Sequence, residues 1–118
     1  MIYFIMGSCE GGRRALVQLA LTPERYAACF ADSPMTLSGG TDGIPINLIP
    51  QMGNTPVMIT HGRNDNEIPV VHSRRFVEES LKRGFPVEYV ETEESHVKLY
   101  NDCRRSAFEF FRNIMSFR

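Results

Sequence analysis

The sequence predicts a single three-layer α/β domain built on a parallel sheet of about four strands. Three observations predict it. Short apolar runs alternate with longer stretches of helical period along the whole chain, which is the pattern of strands joined by crossover helices. The first run, Ile2-Tyr3-Phe4-Ile5-Met6, enters a glycine-flanked turn, Gly7-Ser8-Cys9-Glu10-Gly11-Gly12, that opens directly into a helical segment. Two later strands end in stretches rich in His, Asp and Glu, His61–Pro69 and Glu94–Val97. The C-terminal strand ends of such sheets are where α/β folds carry their chemistry.

Each element has a local reason. Ile2–Met6 has no polar break, as in a strand buried on both faces of a parallel sheet. The turn after it is crowded, and side chains at Gly7 or Gly11 are expected to strike neighbouring backbone. In the helix that follows, Ala15, Leu16, Leu19 and Ala20 share one face, while Arg13, Arg14 and Gln18 turn outward. Thr22-Pro23-Glu24-Arg25 ends it, and Tyr26–Ala31 reads as a second short buried strand stopped by Asp32-Ser33-Pro34. Met35 to Thr55, rich in Gly and Pro, predicts a loop or short lid.

Pro56–Gly62 is the third strand. Val71 to Arg83 is a helix with Phe76, Val77 and Leu81 inward and Gly84 as its C-terminal cap. Phe85–Val90 is the fourth strand. Asn101 or Asp102 can cap a last helix whose apolar stripe is Ala107, Phe108, Phe111, Ile114 and Met115.

Composition narrows the function. The 118 residues bound one domain, 1–118, of ordinary globular make-up with 42% apolar and 23% charged residues. A formal charge of −1 without a basic run points away from nucleic acid and anionic membrane surfaces. No apolar stretch approaches the ~20 residues that span a bilayer, and Met1–Met6 is too short for a signal peptide. Cys9, Cys29 and Cys103 lack CxxC spacing, so neither a disulfide framework nor a zinc site is expected. The chain reads as cytoplasmic, with no metal and no organic cofactor.

The order of the chemistry-bearing stretches is a nucleophile in a glycine-flanked elbow, then an acid, then a histidine, which is the chain order of α/β-hydrolases. The chain resembles the C-terminal half of an α/β-hydrolase catalytic domain, and is most similar to the prolyl oligopeptidase (S9) group and related esterases. Gly7-Ser8-Cys9-Glu10-Gly11-Gly12 matches that group's G-x-S-x-G-G elbow with cysteine for serine, as in dienelactone hydrolases. His61-Gly62-Arg63-Asn64-Asp65-Asn66-Glu67-Ile68-Pro69 matches its acid stretch, H-G-x-x-D-x-x-V-P, and Ser95-His96 its G-H pair. Leu81-Lys82-Arg83-Gly84 followed by Pro86-Val87-Glu88 also fits. The separation of Cys9 from Asp65 is short for the group. The group's first strands, and the loop after its third strand, have no counterpart before Met1, so the chain reads as a fragment.

The resemblance implies a hydrolase acting on small peptide or ester substrates, with Cys9 as nucleophile, His96 as base and Asp65 as acid. The backbone N–H of Glu10, next after the nucleophile, is the implied oxyanion donor, the second donor having no counterpart in the chain. At a helix N-terminus beside a histidine, Cys9 is expected to be partly thiolate. The neighbouring positions read more plainly. Ser8 is an outward-facing turn residue, His61 structural, His72 an exposed helix residue, Cys29 core and Cys103 a helix-face residue. Glu91-Thr92-Glu93-Glu94 is a solvated acidic loop. The rival from another class is an inactive truncated remnant or interaction module. Its elbow strand would be an exposed edge that pairs with a second copy or with a complementing chain.

Overall fold

The structure, a computed structural model, describes residues 3–116, with the side chains of 97–103 outside that description. Four strands, β1 (Tyr3–Ser8), β2 (Tyr26–Asp32), β3 (Val57–Gly62) and β4 (Val87–Thr92), alternate with α1 (Glu10–Leu21), α2 (Val71–Lys82) and α3 (His96–Ser116). The strands lie in the order β1-β2-β3-β4, each neighbouring pair parallel. The predicted αβα architecture is therefore present, with its four strands in chain order.

Side chains alternate between the two faces of a strand, and the core divides accordingly. Cys29, Ala31, Val57 and Ile59 meet Leu16 and Leu19 of α1 and Phe76 of α2. Ala28, Phe30 and Met58 meet Ala107, Phe110 and Phe111 of α3 on the other face. Complete burial of Leu16, Leu19 and Ile59 contributes about 1.5–3 kcal/mol for each side chain.

The edges differ from the centre. β2 and β3 are buried almost throughout, whereas β1 leaves Tyr3 47% and Met6 45% exposed. The expectation that the first strand is covered on both faces is thus corrected. Its apolar run makes it a strand, but strand order makes it an edge.

Helix faces also shift. In α3 the buried positions are Ala107, Phe110, Phe111 and half-buried Ile114, a regular i, i+3, i+4, i+7 stripe. Phe111 stacks on Phe4 at 4.5 Å between ring centres. Phe108, 71% exposed, and Met115 lie off that stripe. The helix starts at His96, upstream of the predicted caps Asn101 and Asp102, and Cys103's predicted helix-face side chain is outside the described residues. In α2 the stripe is Ser73, Phe76 and Ser80, with Val77 packed beside it, while Leu81 is exposed.

Gly84, at φ +75, closes α2 as predicted. Its N–H bonds the Leu81 carbonyl, and the Phe85 N–H reaches back to Ser80, a pairing that satisfies the last helical carbonyls. Arg13, expected outward, is buried. Its guanidinium binds Glu10 at 2.6 Å and Asp42 at 2.9 Å. Arg14 does point outward.

Met35 to Thr55 is no open lid. It contains a 3₁₀ stretch, Pro45–Gln51, and places Ile49 and Met52 in the core beside α1 and α2. The Thr36 and Leu37 N–H groups both donate to His72 Nδ1, at 3.0 and 3.1 Å. His72 is consequently a half-buried anchor for this segment instead of an exposed residue.

Candidate active site

β1 runs straight into α1 through Cys9, which takes φ 57 and ψ −119. A side chain in that left-handed region is strained by about 1–3 kcal/mol. Crowding explains the neighbouring glycine: a Cβ on Gly7 would lie 2.1 Å from the Gly11 carbonyl oxygen. Gly11 itself faces open space, contrary to expectation, and the second tight position is Gly12, packed against Asp32 and Pro34.

Asp65 lies in the turn after β3, and His96 is the first residue of α3 after β4. The two turns are laced together. Arg63 N–H donates to the Thr92 carbonyl at 2.7 Å and Asn64 N–H to the Glu94 carbonyl at 3.3 Å. A Cβ on Gly62 would stand 2.1 Å from the Glu94 oxygen, so only glycine lets the turns approach this closely.

The result is a continuous line of hydrogen bonds. His96 Nδ1 meets Asp65 Oδ2 at 2.5 Å, and His96 Nε2 is in hydrogen-bond contact with Cys9 Sγ. A carboxylate only accepts, so Nδ1 carries the proton and Nε2 presents its lone pair to the thiol. That is the tautomer a general base needs. Cys9 is half-buried, and a groove of about 690 Å³ between α3 and β4 is lined by none of these three residues. The three therefore stand at the C-terminal edge of the sheet, outside that groove.

Asp65 is held from several sides. Its Oδ1 accepts the N–H groups of Glu67 and Ile68, both at 2.9 Å. Below it, fully buried His61 donates from Nε2 to the Ile68 carbonyl at 2.8 Å and pairs through Nδ1 with Ser73 Oγ at 2.6 Å. His61 is structural, as the sequence suggested. Burial opposes the Asp65 charge, but the Ile68 and Glu67 amides and His96 outweigh it and hold the carboxyl below its ordinary value. Burial pushes His61 the other way, below the ordinary histidine value, so it sits neutral at pH 7.

Cys9 does not behave as expected. Burial pushes the Cys9 thiol up, a hydrogen bond from Ser8 opposes that, and the charges of Asp32, Asp65 and Glu67 add to the rise. The expected partial thiolate is thus corrected to a resting thiol, because burial, and then the charges of Asp32, Asp65 and Glu67, oppose the anion. Cys29, in the core, is pushed up to about 12 by burial alone.

Sequence reasoning missed two neighbours. Glu67 Oε2 lies 3.3 Å from His96 Nε2, placed to favour the imidazolium once the thiol proton arrives. Its signal was its place inside the acid stretch. Asp32, read as a strand stop, is 1% exposed and receives Ser8 Oγ at 2.8 Å, so Ser8 is the end of a strand tied inward and not a free turn residue. Glu91, one residue before the end of β4, gathers Arg74, Tyr89 and Arg63, and Glu93 also pairs with Arg63, so two of the three acidic residues in the run belong to an ion-pair node.

No family model and no curated protein matches the chain. Among solved structures it is similar to a thermostable esterase, at 25% identity and a TM-score of 0.64 over 75% of this chain and 22% of that one. It is also similar to a dipeptidyl peptidase 4 from Porphyromonas gingivalis, at 16% identity and a TM-score of 0.76 over 91% of this chain and 19% of that one. The chain spans about a fifth of the length of these solved proteins. The αβα fold is one it shares with α/β-hydrolases, and no helix among the described residues is long and apolar enough to cross a membrane.

Proposed function

We propose that this chain carries the nucleophile, acid and base of a hydrolase of the prolyl oligopeptidase and esterase type, with Cys9 as the attacking group. The observation that carries the reading is the unbroken Asp65–His96–Cys9 line at the C-terminal sheet edge. The likeness of fold to an esterase and a dipeptidyl peptidase supports it.

In the proposed reaction Cys9 Sγ forms a bond to the acyl carbon as its proton passes to His96 Nε2. The carbonyl electron pair moves onto oxygen, where the Glu10 N–H, free at the start of α1, can donate to it. Collapse of that oxyanion expels the alcohol or amine, which takes the proton back from His96. Water, deprotonated by the same nitrogen, then hydrolyses the thioester. Asp65 and Glu67 stabilise the imidazolium in both halves. Activated esters, whose acyl transfer asks least of the oxyanion donors, are the substrates of choice.

The test is the burst of p-nitrophenol from p-nitrophenyl acetate, with mass spectrometry of the protein. One acetyl group on Cys9, absent in Cys9→Ala and in His96→Ala, is the expected result. A folded wild-type protein that gains no acetyl group would overturn the proposal.

A further inference from the structure

Asp32 is the most deeply buried carboxylate beside the nucleophile, and the triad makes no use of it. It closes β2 in a row that crosses three strands, Ser8 opposite Asp32 and Asp32 opposite Thr60. Ser8 Oγ donates to its Oδ2 at 2.8 Å, while Thr60 Oγ1 and Ser33 Oγ donate to its Oδ1 at 3.0 and 3.2 Å. Its carbonyl accepts the Cys9 N–H at 2.9 Å. The next residue, Ser33, is also left-handed at φ 49, and its N–H bonds the Thr60 carbonyl at 2.7 Å. Cys9 and Ser33 are the two non-glycine residues with positive φ among the described residues, and both are fastened at Asp32.

We propose that Asp32 is a positioning residue for the nucleophile: its side chain gathers three strand ends, its carbonyl holds the Cys9 amide, and together they aim the thiol at His96. The inference rests on the reading of Cys9 as the attacking group. A strained residue keeps its conformation only where its surroundings over-determine it. Ser8 is held through its side chain and Cys9 through its amide, so the restraint reaches both sides of the Cys9 torsion. The same arrangement fixes a buried negative charge near the sulfur.

The groups facing Cys9 are Asp32 from β2, Asp65 and Glu67 from the turn after β3, and His96 from α3. Glu10 of α1 is turned toward Arg13 and Arg14. The Asp32 charge opposes a thiolate, and the Ser8 O–H donated to its Oδ2 partly neutralises that charge. Removing each should therefore move thiol reactivity in opposite directions, although both changes loosen the same row.

The experiment compares Asp32→Asn and Ser8→Ala with wild type, following Cys9 alkylation by iodoacetamide from pH 6 to 10 alongside acetylation by p-nitrophenyl acetate. Circular dichroism confirms that each protein is folded. Asp32→Asn should alkylate about threefold faster or more at pH 7, since the thiolate is the reactive form. Its acetylation, which needs the sulfur aimed at the base, should fall by about tenfold. Ser8→Ala should be slower in both assays. A folded Asp32→Asn protein with an unchanged alkylation profile, or with both rates lowered together, would overturn the proposal. If Asp32→Asn does not fold, a Ser8→Ala protein with wild-type rates in both assays overturns it. Failure of wild type to acetylate would remove the hydrolase reading alone, because alkylation of Cys9 still reports on Asp32.

Discussion

The turns that carry Asp65 and His96 are laced together by backbone bonds, whereas Cys9 stands on the edge side of the sheet. Asp65 accepts two amides and a histidine, rests above a buried His61, and belongs to a turn laced to its neighbour. Cys9 ends an edge strand in a strained conformation, with its amide tied to one carbonyl. Precision in one half comes from redundancy, and in the other from strain held in place by restraints that converge on one residue, Asp32. A single change should be absorbed differently by the two halves.

The largest expected effect tests the redundant half. Asp65→Asn keeps the shape of the turn but removes the charge that fixes the His96 tautomer. The burst rate with p-nitrophenyl acetate should fall by about 10²–10⁴. A drop of under tenfold would mean that Glu67, 3.3 Å from the same imidazole, substitutes for it.

A glycine pair tests the strained half. Gly7→Ala drives a methyl group into the Gly11 carbonyl and should cost about 3 kcal/mol. Gly11→Ala meets nothing within 4 Å and, in a helical turn, should stabilise by up to about 1 kcal/mol. Urea midpoints measure both. Equal effects at the two positions would show that the elbow relaxes more freely than its geometry implies.

The smallest effect separates the halves by pH. His61 lies below the ordinary value of 6.5 when folded, so the unfolded chain binds a proton first and stability declines as pH falls below 6.5. His72, which accepts two amides, adds in the same direction. Asp65, also lowered, contributes stability that is present above 3.8 and lost as pH falls through its folded value. Denaturation curves from pH 3 to 8 should show the first decline shrink in His61→Gln, leaving the part due to His72, and the acid one shrink in Asp65→Asn.

Much of this was legible in sequence, for identifiable reasons. The elbow, the acid stretch and His96 could be read because each is a contiguous motif whose spacing is set by local backbone. Gly84 could be read because a helix end asks for a left-handed residue. What escaped depends on neighbours distant in the chain. The predicted stripe leaned to the wrong side of Ala107, Phe111 and Ile114, taking in Phe108 and Met115 where the fold buries Phe110. Arg13 looked like a surface residue until Asp42 came to meet it. The apolar run of β1 could not announce its place at the sheet edge. The thiolate expectation counted the helix end and the histidine but not the carboxylates of Asp32 and Glu67, which the fold brings in.

The row of Ser8, Asp32 and Thr60 has one more consequence, for assembly of the sheet. All three side chains share the face that carries Phe30 and Met58. Pairing β2 one residue out of step would turn Asp32 to the opposite layer, among Leu16, Leu19 and Phe76. A carboxylate there, stripped of its three hydroxyl donors, would cost several kcal/mol. The group that steadies the elbow thus also acts as an alignment key that disfavours mispaired sheets.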